Sequence, residues 1–167
     1  MADDWIIDPT MLSTKPKVLS GRLTPADLDG VLDLVAGPEG EFDYTVSAYL
    51  DKQQRKVVSC IIKGFAPLTC QSTLEVFRFD VAIEDRLVLV DDESSLPPIE
   101  MESEDEDFVV VDGPIDVRDL VEDAVILALP MVPRKPGLED VPAKAEDVPK
   151  KESPFAVLRA VKKPDQR

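Results

Sequence analysis

Between Phe42 and Val90 apolar and polar residues alternate with few interruptions. A period of two puts successive side chains on opposite faces of an extended chain, so this stretch has to be half-buried sheet. Phe42, Tyr44, Val46, Ala48 and Leu50 form a first row, and Asp51 to Gln54 reads as a turn. Val58, Cys60 and Ile62 form a second row, with Val57 and Ile61 on the other face. Gly64 to Pro67 permits a bend or bulge before Leu68 and Cys70. A further strand is expected over 74–83, with Phe77, Phe79, Val81 and Ile83 on one side, and another over 86–90. No helical segment separates these runs, so antiparallel pairing is expected throughout.

Two helices flank the strands. Thr24 has the chemistry of an N-cap, Pro25 suits the first helical position, and Asp27 lies in the first turn. Leu28, Val31, Leu32 and Val35 then share one helical face, and Gly37-Pro38 ends the run. In the second helix Asp116 caps and Asp119 follows three residues on. Val117, Leu120, Val121, Ala124, Val125 and Ala128 make its apolar face, and Pro130 stops it at or before Leu129. Residues 5–23 carry Pro9 and Pro16 and read as an extended arm, with Trp5 as a packing anchor. A short closing strand is expected over 108–111.

Composition narrows the chemistry. The 167 residues include no histidine, which removes the commonest general base, the usual partner of a nucleophilic Ser or Cys, and the commonest metal ligand. Cys60 and Cys70 are too few for a disulfide framework and supply half of a thiolate zinc site, so they read as small buried apolar residues. No metal or cofactor is expected. The acidic start, Met1-Ala2-Asp3-Asp4, lacks the features of a signal peptide, and no apolar run approaches a membrane span, so a cytoplasmic protein without membrane contact is expected. The net charge of −15 repels phosphate backbones and favours basic proteins. Nothing points to a small-molecule substrate.

The acids are concentrated. Residues 91–107 hold nine acids, no base and Pro97-Pro98, and read as a mobile, solvated loop or as an electrostatic handle for a basic partner. Calcium loops need a fixed spacing and a turn glycine that this run lacks. Glu122 and Asp123 are adjacent on a helix, hence about 100° apart, and do not converge as a catalytic pair. They read as a solvated face or as contacts for a basic partner. From Arg134 to the end there are nine bases and six acids, so the C-terminal part alone is basic. Residues 131–152 are a proline-rich linker, and 153–167 a short amphipathic segment with Phe155, Leu158 and Val161 on one face and Lys162 and Lys163 following. A helix that short gains little from its own hydrogen bonds, so it docks on a partner or on its own domain.

Several segments together resemble a known family. The run from Ile115-Asp116 through "LVEDAVILALP" to "MVP" (131–133), followed by "SPFAVL" (153–158), resembles the signature of the bacterial YceD family. "IDP" (7–9), "LTPADLDGVLDLV" (23–35) and "LTCQSTLEVF" (68–77) lie where that family has its other motifs. The resemblance implies a role in the accumulation of large-subunit ribosomal RNA, through synthesis, processing or stability, with no established catalysis. In many bacteria the family's gene adjoins that of a basic, zinc-binding large-subunit ribosomal protein. This chain departs from the family's "CQRC" hairpin: Cys70 fills the first cysteine, but Ser72 and Thr73 replace the arginine and the second cysteine, and 131–150 adds none. Any zinc site of relatives is incomplete here.

The expectation is therefore an α+β domain over 1–130: two helices packed on a curved antiparallel sheet that could close towards a barrel, with an extended C-terminal tail. Its core should contain Leu28, Val31, Val46, Cys60, Ile62, Phe79, Val121 and Val125. Its expected function is non-enzymatic. Glu122, Asp123, Phe155, Leu158, Lys162 and Lys163 are the expected partner contacts. The partner is a basic ribosomal protein or processing factor, or alternatively ribosomal RNA bound directly.

Overall fold

The computed structural model describes residues 5–101 and 103–137. The expected tail contacts Phe155, Leu158, Lys162 and Lys163 lie outside the described residues. The chain divides into units 1–135 and 136–167. The strands of the first unit are β1 (Ile6–Ile7), β2 (Lys17–Leu23), β3 (Glu41–Leu50), β4 (Lys56–Thr69), β5 (Val76–Val90), β6 (Asp107–Val110) and β7 (Ile115–Asp116). Its helices are α1 (Asp29–Leu32) and α2 (Val117–Ala128). Strands β2 to β6 form one sheet in chain order, and β1 pairs with β7 in a separate two-stranded ribbon.

The alternation seen in the sequence becomes a meander of β3, β4 and β5. Asp51 makes the first turn. Its carboxylate accepts from the backbone N–H of Gln53 (2.8 Å) and Arg55 (2.9 Å), which substitutes for water at the exposed turn amides. Strand β4 runs unbroken through Gly64 to Pro67, so no bulge forms there. A Cβ on Gly64 would lie 1.9 Å from the Glu41 carbonyl oxygen, so the glycine serves the close approach of β3. Strand β5 is likewise continuous where two strands were expected, with Glu84 and Asp85 held in register opposite Ile61 and Cys60.

One further expectation is made more specific and two are corrected. The extended arm contributes β2, paired along its whole length to β3. The first helix is not one long helix. The capping box at Thr24 and Asp27 forms, but it caps a single 3-10 turn, Pro25–Asp27. Leu28 then turns extended (φ −126°, ψ 93°), and α1 has four residues. The Asp27 side chain folds back onto Thr24 N–H and Oγ1 (2.8 and 2.7 Å), and the extended Leu28 still delivers its side chain to the core. The apolar spacing thus predicts which side chains are buried here and not the backbone that carries them. Finally, β6 pairs parallel to β5, Leu87 with Asp107 through Val90 with Val110. A parallel pair needs a crossover of a dozen or more residues, and the acidic segment 91–106 supplies that length with two short 3-10 turns, Glu93–Ser95 and Ile99–Met101, in place of the usual α-helix. The sheet is therefore mixed and open: β2 and β6 are its two edges, and it is not closed into a barrel.

Helix α2 runs where its sequence implies, although Ala128 of its expected apolar face is exposed. The Asp116 carboxylate accepts from Arg118 N–H (2.8 Å), and the helix stops before Pro130. Its ridge Val117, Val121 and Val125 is fully buried against Val46, Ile62, Leu28 and Val31 in one core. Each of those valines contributes roughly 1.5–3 kcal/mol by leaving water. Of the expected core, only Phe79 is partly exposed. Trp5 packs against Tyr44 with ring centroids 5.7 Å apart, and the Arg118 guanidinium lies 5.4 Å from its ring.

Candidate interaction surfaces around the second helix and the acidic crossover

The described segments that carry the family resemblance meet around α2. Ile7 of "IDP" is buried and pairs with Ile115, so β1 clips the entry to α2. Asp8 caps the next turn through Thr10 N–H (2.8 Å), and the Thr10 hydroxyl holds its carboxyl below the ordinary range. The segment 23–35 reaches α2 through a hydrogen bond: Gly30 N–H of α1 donates to Glu122 Oε1. Gly30 lies in the first turn of α1, where a helix leaves amides without an intrahelical acceptor, and Glu122 supplies one from the neighbouring helix. A Cβ on Gly30 would stand 2.6 Å from that oxygen, so the glycine makes room for the contact.

This separates the two carboxylates. Glu122, expected on the exposed face, is half-buried and turned inward to α1; Asp123 is exposed. With Asp119 one turn earlier, Asp123 gives α2 an acidic outer stripe, and Asp29 and Asp33 do the same on α1. Between the C-terminal ends of α1 and α2 lies an open groove of about 680 Å³, which includes Leu34, Leu68, Ile126, Leu127, Leu129 and Met131 in its lining.

The turn 70–75 borders this region. Leu74 N–H closes it onto Cys70 C=O (2.8 Å), with Leu74 at φ 60°. Residues 131–135, expected in the linker, fold over it: Gln71 N–H donates to Pro133 C=O (2.9 Å) and Lys135 N–H to Cys70 Sγ (3.4 Å). The Cys70 thiol is pulled down to about 7, first by its hydrogen bond with the Thr73 side chain and then by the Lys135 N–H. It is out of contact with water, and the hydrogen bonds of the turn outweigh the opposing effect of desolvation. Cys60, within the sheet, is pushed up to about 11 by burial and by Asp85. Both thiols are free and buried, and among the described residues no three Cys, Asp or Glu side chains converge as metal ligands.

The acidic crossover has two parts. One is anchored. Glu106 faces Arg55 through two contacts (3.1 and 3.3 Å), and its Oε1 lies 3.0 Å from Arg86 Nε, off the hydrogen-bonding line. Arg55 also holds Asp51 (2.8 Å), and Lys56 pairs with Asp91 (2.6 Å). Burial alone would raise the Asp51 carboxyl; the hydrogen bonds from Arg55 and Gln53 outweigh it and hold the group below its usual range. The expectation of uncompensated acids therefore fails at Glu106 and Asp91.

The other part is unpaired. Where β6 joins β5, a trough of about 450 Å³ is lined by Glu84, Asp85, Glu104, Asp105 and Asp107, with Arg86 as its one base. Burial, and then the Asp107 carboxylate, push the Asp85 carboxyl above its ordinary value. Like charges are thus held together at a cost. Adjacent positions along the sequence announce an acidic loop; that Glu84 and Asp85 of the strand join it follows only from the parallel register.

No described helix is long and apolar enough to cross a membrane. No solved structure matches the chain. A family model described as "Large ribosomal RNA subunit accumulation protein YceD" matches residues 58–162, from β4 through α2 and beyond. That match covers well over half of the sequence, and with it most of the sheet, the crossover and α2: the chain belongs to the YceD family, whose name implies a role in large-subunit ribosomal RNA accumulation.

Proposed function

We propose that the chain is a cytoplasmic, non-catalytic factor that supports the accumulation of large-subunit ribosomal RNA by holding a basic ribosomal protein or processing factor. The observation that carries this reading is the trough at the start of β6, where five carboxylates from β5, the crossover and β6 share one depression with a single base. A lysine- or arginine-rich segment placed there relieves repulsion that the free protein sustains, and its attraction weakens with salt. Direct RNA binding is the weaker reading. Arg22, Arg55, Arg78 and Arg86 each face carboxylates within 4 Å, so these four do not form a groove open to phosphates.

The test uses the double variant Glu104→Lys/Asp105→Lys, at two exposed positions whose replacement spares the core. A cell carrying it in place of the natural chain should show reduced large-subunit ribosomal RNA, while the purified variant melts as the parent does. In pull-downs the parent should retain basic partners after nuclease treatment, and the variant should not. Full ribosomal RNA accumulation by the variant refutes the reading, as does binding that nuclease abolishes.

A further inference from the structure

The helix α2 carries more apolar surface than its sheet contact uses. The ridge Val117, Val121 and Val125 satisfies the core, and Leu129 extends it. Leu127 is two positions on from Val125, about 200° round the helix, and is 86% exposed. Leu34, just past α1, is 53% exposed, and the Met131 side chain stands fully in water. Leu34 and Leu127 are among the lining of the 680 Å³ groove, as is Met131, while Leu68 and Leu129 contribute buried residues to it. Large exposed side chains around one depression mark an interaction site more strongly than single ones scattered over a surface.

Acids prevail on the two helices beside the groove, while Lys135, which follows its Pro133 edge, is paired with Glu75 (3.1 Å). Asp33 lines the groove, Asp29 lies one turn before it on α1, and Asp119 and Asp123 lie on the turns of α2 that precede Leu127. All four are exposed, and none of them is in an ion pair with another described residue. We infer that this groove receives an amphipathic, basic helical segment of a partner protein: large apolar side chains at i, i+3 or i+4 and i+7 fill the groove, and flanking lysines or arginines meet the aspartates. The inference deepens the reading of the chain as a factor for basic proteins and rests on it for the partner's chemistry, but it assigns a second surface, separate in residues from the trough. The two together describe a bipartite contact, apolar and directional at the groove, electrostatic at the trough.

The experiment titrates the full chain with a fluorescent synthetic peptide bearing a helical leucine stripe with lysines on its other positions. A scrambled isomer of equal composition and charge serves as control. The striped peptide should bind at least about tenfold tighter than the isomer at physiological salt, the scale of burying one leucine side chain. Leu127→Asp should abolish that preference with no change in melting temperature, since Leu127 is exposed, and Met131→Asp should do the same if the first variant misfolds. The trough variant Glu104→Lys/Asp105→Lys should lower affinity for both peptides alike and leave the preference intact. Equal binding of the two isomers overturns the inference. So does a self-associated parent that Leu127→Asp turns into a monomer, because the groove then takes a second copy. Displacement of the probe by a separate peptide of residues 153–163 at equal concentration overturns the assignment to a foreign partner. A trough variant that is harmless in cells while the groove still discriminates isomers refutes the trough alone.

Discussion

Glu122 and Asp123 look equivalent in sequence and differ in the fold, because only one of them finds an unpaired amide. Replacing Glu122 by alanine strands the Gly30 N–H in a half-buried position and should cost about 1–3 kcal/mol. Replacing Asp123 should change stability by less than about 0.5 kcal/mol. Urea melts of the two single variants check the contrast. The spacing of acids shows both residues; what it cannot show is the four-residue helix whose first turn needs a foreign acceptor. The cysteines are legible as buried and illegible as different. Cys70 sits in a turn rich in N–H and hydroxyl donors, Cys60 in a sheet. A thiolate absorbance titration of the folded protein should show one group ionising near pH 7, and Thr73→Val should move it upward. Because the folded value lies below the ordinary thiol value of 9.0, this thiol adds stability above that range and loses it as pH falls through about 7.

At the scale of elements, α2 is the most legible segment, since its cap, its ridge and its stop are all local. Val121→Asp should cost several kcal/mol, because it puts a carboxylate at a fully buried position of the apolar core. Circular dichroism of the purified variant reads the result. The first helix misleads because propensity and capping define where a helix starts and say little about how far it runs; Leu28 takes an extended backbone to fill the core. The crossover misleads for a different reason. Along the sequence its acids repel one another without relief, whereas in space Arg55 and Arg86, distant in the chain, stand opposite Glu106. Asp85 gives the reverse signature. Its folded carboxyl holds a proton to higher pH than the unfolded one, so its favourable contribution exists at acid pH and is lost as pH rises through the folded value. Asp85→Asn should therefore raise stability at neutral pH and leave it unchanged below the ordinary aspartate range. Paired melts at the two pH values measure this.

Across the whole molecule, the meander is readable from period alone, and the pairing of its far edge is not. Turns of a few residues join β3, β4 and β5, so their contacts form with little loss of chain entropy. Strand β6 must instead return across sixteen residues, 91–106, to pair over only four positions. Its closure brings Glu104, Asp105 and Asp107 up to Glu84 and Asp85, against their mutual repulsion. The last strand to dock in such a topology is the first to open. Amides of β6 should exchange with deuterium through a partial opening well below the global unfolding free energy, while those of β3 and β4 exchange only with it. Exchange mass spectrometry at residues 107–110 reads this directly. Added salt should slow the opening by screening the carboxylates. The trough exists only while β6 is latched, so a basic ligand held there works as a clasp: occupancy and strand order rise together, and an empty trough lets the edge of the sheet breathe.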